Sequence, residues 1–318
     1  MLSSRILACG SFLPEKILSN DEITTFLDTS DAWISERTGI KSRHIISKHH
    51  NTSDLATFAL SDALNSAKLG PEDLDGIVLA TTTPDLVFPS TAVQVQSKIR
   101  MPRGFAFDIQ AVCSGFLYAL SIAHNFIISG SAKRIAVIGA ESMSRILDWN
   151  DRSTCILFGD GAGCVILERS DIIEGILEIQ LFSDMNTIDL LKVDGGVSKG
   201  NLGAKLQMSG REVFRIAVLK MCESFLSLLE KLNIPIEALD WFIPHQANSR
   251  ILSAVAEKLA LPTHKIVSTI ATHGNTSAAS IPLAFDSYVK SGRIKRGQLI
   301  GVSAVGAGMT WASGLIRF

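Results

Sequence analysis

The sequence predicts an α/β protein made of two similar halves. Three observations predict this: the chain is longer than one core usually fills, buried strands alternate with helices along it, and the alternation repeats at about half the chain length.

The length comes first. The chain has 318 residues, and single hydrophobic cores seldom grow past about 250–300 residues. The expected division is 1–170 and 171–318. Lys and Arg number 30 and Asp and Glu 31, giving a net charge of −1. That balance excludes a disordered chain and lacks the basic excess of a general nucleic-acid binder. Charged residues make up 19%, below the roughly 25% of ordinary soluble domains, so apolar surface must be hidden somewhere. A membrane does not hide it. The longest apolar stretch, Gly115 to Ile128, is interrupted by His124 and Asn125 and falls short of the about 20 residues that spanning needs. The first twenty residues hold no secretory h-region. Five cysteines, without CxxC or HExxH spacing, argue against a disulfide scaffold and against zinc. A cytoplasmic enzyme without a metal is expected.

The alternation comes second. Asp75-Gly-Ile-Val-Leu-Ala-Thr-Thr-Thr83 reads as a buried strand. Ser114–Ser129 reads as a helix apolar nearly all round, ended by Gly130. Lys133–Gly139 and Cys164–Glu168 read as further strands.

The repetition comes third. Asp240-Trp-Phe-Ile-Pro244 matches Asp75-Gly-Ile-Val-Leu79 at an offset of 165; Gly301 matches Gly139, and Gly292 matches Gly130, at 162. In the 162 register Cys113 and Asn275 become equivalent positions.

Chemistry gathers at the strand ends. Cys113 lies between the strand-like Phe105–Ala111 and the buried helix. A helix N-terminus there is expected to lower the thiol pKa below about 8.5; the competing reading is a small buried hydrophobe. His245 follows a buried strand in Pro244-His-Gln-Ala-Asn248, at the end of the strand, where α/β sheets keep their sites. Asn275 sits in His273-Gly-Asn-Thr-Ser-Ala-Ala-Ser280, where an N-cap or turn would also use it. Ser303–Ser313 supplies a glycine turn whose amides could approach a carbonyl. Phe158-Gly-Asp-Gly-Ala-Gly163 has a phosphate-loop look but lacks the Lys-Ser/Thr that one requires. His49-His50 reads as an exposed loop pair.

Together these segments resemble β-ketoacyl-acyl carrier protein synthase III, a thiolase-like condensing enzyme. Asp31-Ala-Trp-Ile-Ser-Glu-Arg-Thr-Gly-Ile40, Phe88-Pro-Ser90, Ala111-Val-Cys-Ser-Gly-Phe116, Asp151-Arg152, Phe158–Gly163, Pro244–Asn248, His273–Ser280, Gly306-Ala-Gly308 and Arg317-Phe318 occur in family order over essentially the whole chain. The resemblance implies a five-layered αβαβα fold of two duplicated halves, in a homodimer. It implies an initiating enzyme of type II fatty-acid synthesis, which moves an acyl group, by default acetyl, from acyl-CoA to Cys113 and condenses it with malonyl-acyl carrier protein. His245 and Asn275 would hold the malonyl thioester oxygen, and the amides of Cys113 and Ala307 would form the oxyanion hole. CoA would meet Trp33, Arg37, Arg152, Gly210 and Asn248. Phe88, Met208 and Phe214 would line the acyl pocket, Phe88 reaching across the dimer. Arg215, Gln246 and Arg250 would receive the acyl carrier protein. No cofactor, nucleic acid or membrane is implied. The chain departs from the family at Glu257, often basic; at Arg211, often Asn; at Val305, often Phe; and at Ala307, a glycine in some members. A papain-like protease orders Cys, His and Asn the same way, but its cysteine has a different local signature. A polyketide condensing enzyme shares the triad, and a non-catalytic acyl-binding scaffold is disfavoured by the intact triad.

Overall fold

In the computed structural model, residues 3–172 and 174–318 are described. Two mixed sheets carry the architecture. The first runs β1 (Ser3–Phe12), β2 (Gly76–Ala80), β3 (Phe105–Ile109), β4 (Arg134–Ser142) and β5 (Asp160–Ser170) along the chain, in spatial order β1-β5-β4-β2-β3. The second holds β6 (Gly175–Ser183), β7 (Trp241–Pro244), β8 (Leu299–Gly306) and β9 (Thr310–Arg317), in order β7-β8-β9-β6. In both sheets a parallel pair, β2/β4 or β7/β8, continues into two antiparallel neighbours. An isolated parallel bridge from Phe242 to Ile266 stands where β3 stands in the first sheet.

Sequence explains the layers. β4 is buried throughout after Arg134, as a parallel strand covered on both faces must be. Helices α1 (Thr52–Ala67) and α2 (Thr91–Lys98) cover one face of the first sheet, around Leu55, Leu60, Ile77 and Ile138. Helices α4 (Gly210–Leu232) and α5 (Ser249–Lys258) cover one face of the second, around Phe225, Leu228, Phe242 and Val255. Between the sheets lie α3 (Gly115–Ile128) and α6 (Ser280–Lys290), in a core shared by Val78, Leu120, Val137, Ile243, Ala284 and Val302. The result is the expected αβαβα sandwich. α3 is apolar all round because it has sheet on both sides.

The duplication is visible in the pairing, and it corrects the predicted register. Gly76 pairs with Ile135 and Trp241 with Ile300, each partner displaced by 165 residues. The single turns before β2 and β7, Pro71–Asp73 and Ile236–Ala238, keep that displacement. So do Val112 and Ser277, which open the turns leading into α3 and α6, both at positive φ (49° and 48°). The offset of 162 holds only at the helix-end glycines, Gly130 and Gly292, because α6 is three residues shorter than α3. Gly139 therefore corresponds to Ala304, and Cys113 corresponds to Ala278 rather than to Asn275.

The phosphate-loop look of Phe158–Gly163 dissolves, because Gly161 and Gly163 belong to β5 and Gly159 directly precedes it. A Cβ on Gly163 would come within 2.7 Å of Pro282 and Leu283, so glycine there serves close packing against α6.

Candidate active site

Cys113 sits in the turn Val112–Ser114, directly ahead of α3. Val112 carries the left-handed φ that a sharp strand-to-helix reversal requires. The Ser114 and Thr310 hydroxyls both donate to the Ala111 carbonyl, at 2.7 and 2.9 Å. The glycine turn between β8 and β9 thus rests on the cysteine's own backbone. A Cβ on Gly306 would lie 2.6 Å from the Ala111 oxygen and 2.9 Å from the Cys113 nitrogen, so this close approach requires glycine.

The thiol is not lowered as its helix position predicts. Cys113 is buried, and burial pushes its pKa up to about 12 against smaller pulls from the Ser277 hydroxyl and its own amide; a nearby carboxyl, Glu141, raises it further. Desolvation outweighs the helix terminus, and the resting group is a thiol.

His245 is the first residue past β7, and its N–H donates to the Ser303 carbonyl at 2.8 Å. Its ring is buried, which lowers its pKa to about 4, so the imidazole is neutral. Nδ1 lies 2.7 Å from the Ser280 hydroxyl. Asn275 is pinned by its backbone to the segment ahead of β5, with its N–H to the Leu157 carbonyl at 2.8 Å and its carbonyl accepting from Gly159 N–H at 3.0 Å. Its side-chain Oδ1 accepts from Ser277 N–H at 2.9 Å. The turn reading of Asn275 is therefore correct, and it leaves the amide NH2 as the end available to a ligand. One short turn, Ser277–Ala279 running into Ser280, touches all three residues: Ser277 meets Cys113 and Asn275, and Ser280 meets His245.

The remaining predicted residues divide into groups. The guanidinium carbons of Arg37 and Arg152 lie 4.5 and 4.6 Å from the Trp33 ring centroid, and Arg152 also donates to the Asp28 carbonyl at 2.6 Å. The expected Trp33–Arg152 sandwich is closed on itself here, too tight for a base between. Gly210 opens α4, and Asn248 caps α5 through Oδ1 with its NH2 left over. Met208, Trp33 and Ala307 pack against one cluster built on Leu18, Ile34, Leu191 and Leu206, which joins the tryptophan to the glycine turn beside Cys113. Phe214 is half-exposed, and Phe88 is 83% exposed between the exposed Val87 and the cis-linked Pro89. Arg215 and Arg250 are exposed on α4 and α5, as are Arg211 and Glu257, while Val305 is buried.

Gln246 does not fit the carrier-docking role. It is buried, its Nε2 donates to the Pro244 and Val267 carbonyls at 2.7 and 3.1 Å, and its Oε1 accepts from Thr269 N–H at 2.9 Å. With its polar atoms all committed inside, it has nothing to offer a partner.

Sequence reasoning missed Glu141, a fully buried carboxyl at the end of β4, and the separate roles of Ser277 and Ser280. A signal existed for the first: an acidic residue at the carboxyl end of an apolar parallel strand is where α/β sheets concentrate function. Among the described residues, no helix is long and apolar enough to cross a membrane.

Comparison with known proteins shows the family. Residues 107–185 and 229–318 match the models for 3-oxoacyl-[acyl-carrier-protein (ACP)] synthase III and for its C-terminal part. The chain is 50% identical to a β-ketoacyl-[acyl-carrier-protein] synthase III of Paramagnetospirillum magneticum, over 100% of this chain and 99% of that one. It is also 50% identical to the same enzyme of Thiobacillus denitrificans, over the full length of both. The crystal structure of 3-oxoacyl-[acyl-carrier-protein] synthase III from Aquifex aeolicus VF5 superposes with a TM-score of 0.95 at 46% identity, covering 99% of this chain and 100% of that one. With that likeness added to a buried thiol, a neutral histidine and an oriented asparagine meeting at one turn, the chain belongs to the β-ketoacyl-acyl carrier protein synthase III family of condensing acyltransferases.

Proposed function

We propose that Cys113 is the nucleophile of an initiating condensation, and that His245 and Asn275 stabilise the enolate formed when a malonyl thioester loses CO2. The observation that carries this reading is the orientation of Asn275: with Oδ1 held by Ser277 N–H, its NH2 is the free donor. A neutral imidazole beside it can donate as well. Two donors aimed at one oxygen favour developing negative charge there.

In the first half-reaction the Cys113 sulfur attacks the thioester carbonyl of acyl-CoA, and its proton ends on the departing CoA sulfur, which leaves as the free thiol. The amides of Cys113 and Ala307 receive the tetrahedral oxyanion. In the second, malonyl-acyl carrier protein loses CO2, and the resulting carbanion attacks the acyl-Cys113 carbonyl. Cys113 leaves as thiolate and the β-ketoacyl chain stays on the carrier. Decarboxylation itself supplies the carbanion, so the cycle balances without a redox cofactor or metal. Separating the two transfers is ordinary covalent catalysis with ping-pong kinetics.

Trp33, Arg37, Arg152, Gly210 and Asn248 are the proposed CoA contacts, the base entering by displacing Arg152 from Trp33. Met208 and Phe214 line the acyl route, and Phe88 completes it from a partner subunit in a homodimer; its exposure beside Leu86 and Val87 supports a covered face. Arg215 and Arg250 are the carrier-protein contacts. The primer is proposed to be acetyl, the two halves to divide at residue 170, and the compartment to be the cytoplasm, where five unpaired cysteines suit a reducing medium.

The test separates the half-reactions. In Cys113→Ser, labelled acetyl from acetyl-CoA should no longer become protein-bound. His245→Ala should still load acetyl but release CO2 from malonyl-acyl carrier protein slowly. Loading of Cys113→Ser at the wild-type rate would remove the nucleophile assignment.

A further inference from the structure

Glu141 is fully buried beside the nucleophile and has no place in the reaction described above. Its hydrogen-bond partners among the described residues are all hydroxyls or an amide: Thr83 Oγ1 at 2.7 Å, Thr82 Oγ1 at 2.9 Å, Thr82 N–H at 3.1 Å, Thr81 Oγ1 at 3.4 Å and Ser277 Oγ at 3.0 Å. The Thr82 amide can only donate and each hydroxyl is able to, so the set is built to receive a carboxylate. A buried carboxylate surrounded by neutral donors is an expensive way to fill a core. Its partners explain it. The threonines belong to the end of β2 in the first half, whereas Ser277 belongs to the second half and to the turn that contacts Cys113, Asn275 and, through Ser280, His245.

Ser277 holds φ 48°, a conformation that a residue with a side chain adopts only when its surroundings enforce it. In that conformation its N–H reaches Asn275 Oδ1. The Ser277 hydroxyl on Glu141 is the side-chain anchor of this strained backbone.

We propose that Glu141 is a positioning residue for Asn275, acting through Ser277: the carboxylate fixes the Ser277 hydroxyl, and the Ser277 amide then fixes the asparagine with its NH2 toward the substrate. This rests on the enolate-stabilising role given to Asn275 above. Burial raises the Glu141 pKa, and the hydroxyls and the Thr82 amide offset that rise only in part, so the donors are what make ionisation there tolerable at all. The arrangement also carries a cost for the other half-reaction, because negative charge at Glu141 opposes ionisation of Cys113. The two half-reactions should therefore respond to Glu141 in different ways.

The experiment compares full-length Glu141→Ala, Glu141→Gln and Asn275→Ala for transfer of labelled acetyl to the protein and, separately, for CO2 release from malonyl-acyl carrier protein. Glu141→Ala is expected to slow CO2 release about 100-fold, the cost of a donor misplaced by about 1 Å, with acetyl transfer undiminished. Glu141→Gln, which still offers an acceptor to Ser277, is expected to recover part of the loss. Parallel loss in both assays would mark Glu141 as merely structural and overturn the proposal, as would full CO2 release by Glu141→Ala while Asn275→Ala has lost it. Full CO2 release by Asn275→Ala would instead overturn the site reading on which the proposal rests. If Glu141→Ala fails to fold, Ser277→Gly takes its place. Glycine accepts the φ without strain and keeps the N–H but cuts the link to Glu141, so CO2 release should fall by a clearly larger factor than acetyl transfer, which loses only the Ser277 hydroxyl's contact with the thiol. Unchanged CO2 release in that variant overturns the proposal.

Discussion

The Ser280 hydroxyl lies 2.7 Å from Nδ1 of His245 and 3.4 Å from the Gln246 amide nitrogen. The amide can only donate, so it takes a lone pair of Ser280 Oγ. The buried hydroxyl's proton then has Nδ1 as its acceptor, which assigns the hydrogen of the neutral ring to Nε2. A protonated Nε2 is a donor, suited to a developing oxyanion and unable to take the Cys113 proton. Ser280→Ala is expected to slow malonyl decarboxylation by about 10- to 100-fold while acetyl loading stays intact, and Ser280→Thr should restore it. Nitrogen-15 shifts of the labelled histidine should report Nε2–H in the parent enzyme; Nδ1–H there would remove the basis of this expectation.

The buried thiol predicts an unusual reactivity profile. With Cys113 pushed up to about 12, alkylation of the resting enzyme by iodoacetamide should keep climbing well above pH 9. A plateau near neutrality would show that the helix terminus wins after all. Loading by acyl-CoA should be far less dependent on pH, because the proton leaves during attack on a bound, polarised carbonyl.

His245 also ties stability to pH. Its folded pKa is near 4, against about 6.5 when unfolded. Between these values the unfolded chain binds the extra proton, so stability rises with pH from 4 to 6.5 and falls as acid is added. The contribution is about 3 kcal/mol across that window. His273, also lowered to about 4 by burial, acts in the same direction. Urea unfolding at pH 4.5 and 7 should show a smaller difference for His245→Gln than for the parent; an equal difference would deny the buried, neutral imidazole.

Gln246 and Arg250 are near neighbours in sequence and should behave in opposite ways. Gln246→Ala leaves two carbonyls and an amide without their partner; it should cost about 2–4 kcal/mol in unfolding free energy and leave the KM for carrier protein unchanged. Arg250→Glu should leave stability alone and raise that KM several-fold. The reverse pattern would place Gln246 back in the docking patch.

The contrast between these two residues shows what a sequence carries. Periodicity and apolar runs showed β2, β4 and α3 because burial on both faces leaves no room for polar side chains. Cys113, His245 and Asn275 were visible because strand ends and glycine-rich turns advertise themselves. Whether Gln246 faces a partner or the core depends on Val267 and Thr269, which are distant in the chain. Sequence points the thiol shift the wrong way because helix position is local, whereas burial depends on both sheets. The setting of Glu141 is silent in the sequence because its donors come from two halves that only the fold brings together. The repeat itself was legible, but a helix three residues shorter misled the register, and only strand pairing corrected it.

That corrected register has a consequence for how the site is divided. Cys113 and Ala278 are counterparts across the internal pseudo-twofold, two copies of one reversal meeting at the middle of the sandwich. One copy carries the sulfur. The other has a methyl group there, and its flanking serines instead brace the groups that receive charge. On the proposed roles, bond-making and charge-holding thus fall to different copies of the same turn, so a change in one need not disturb the other.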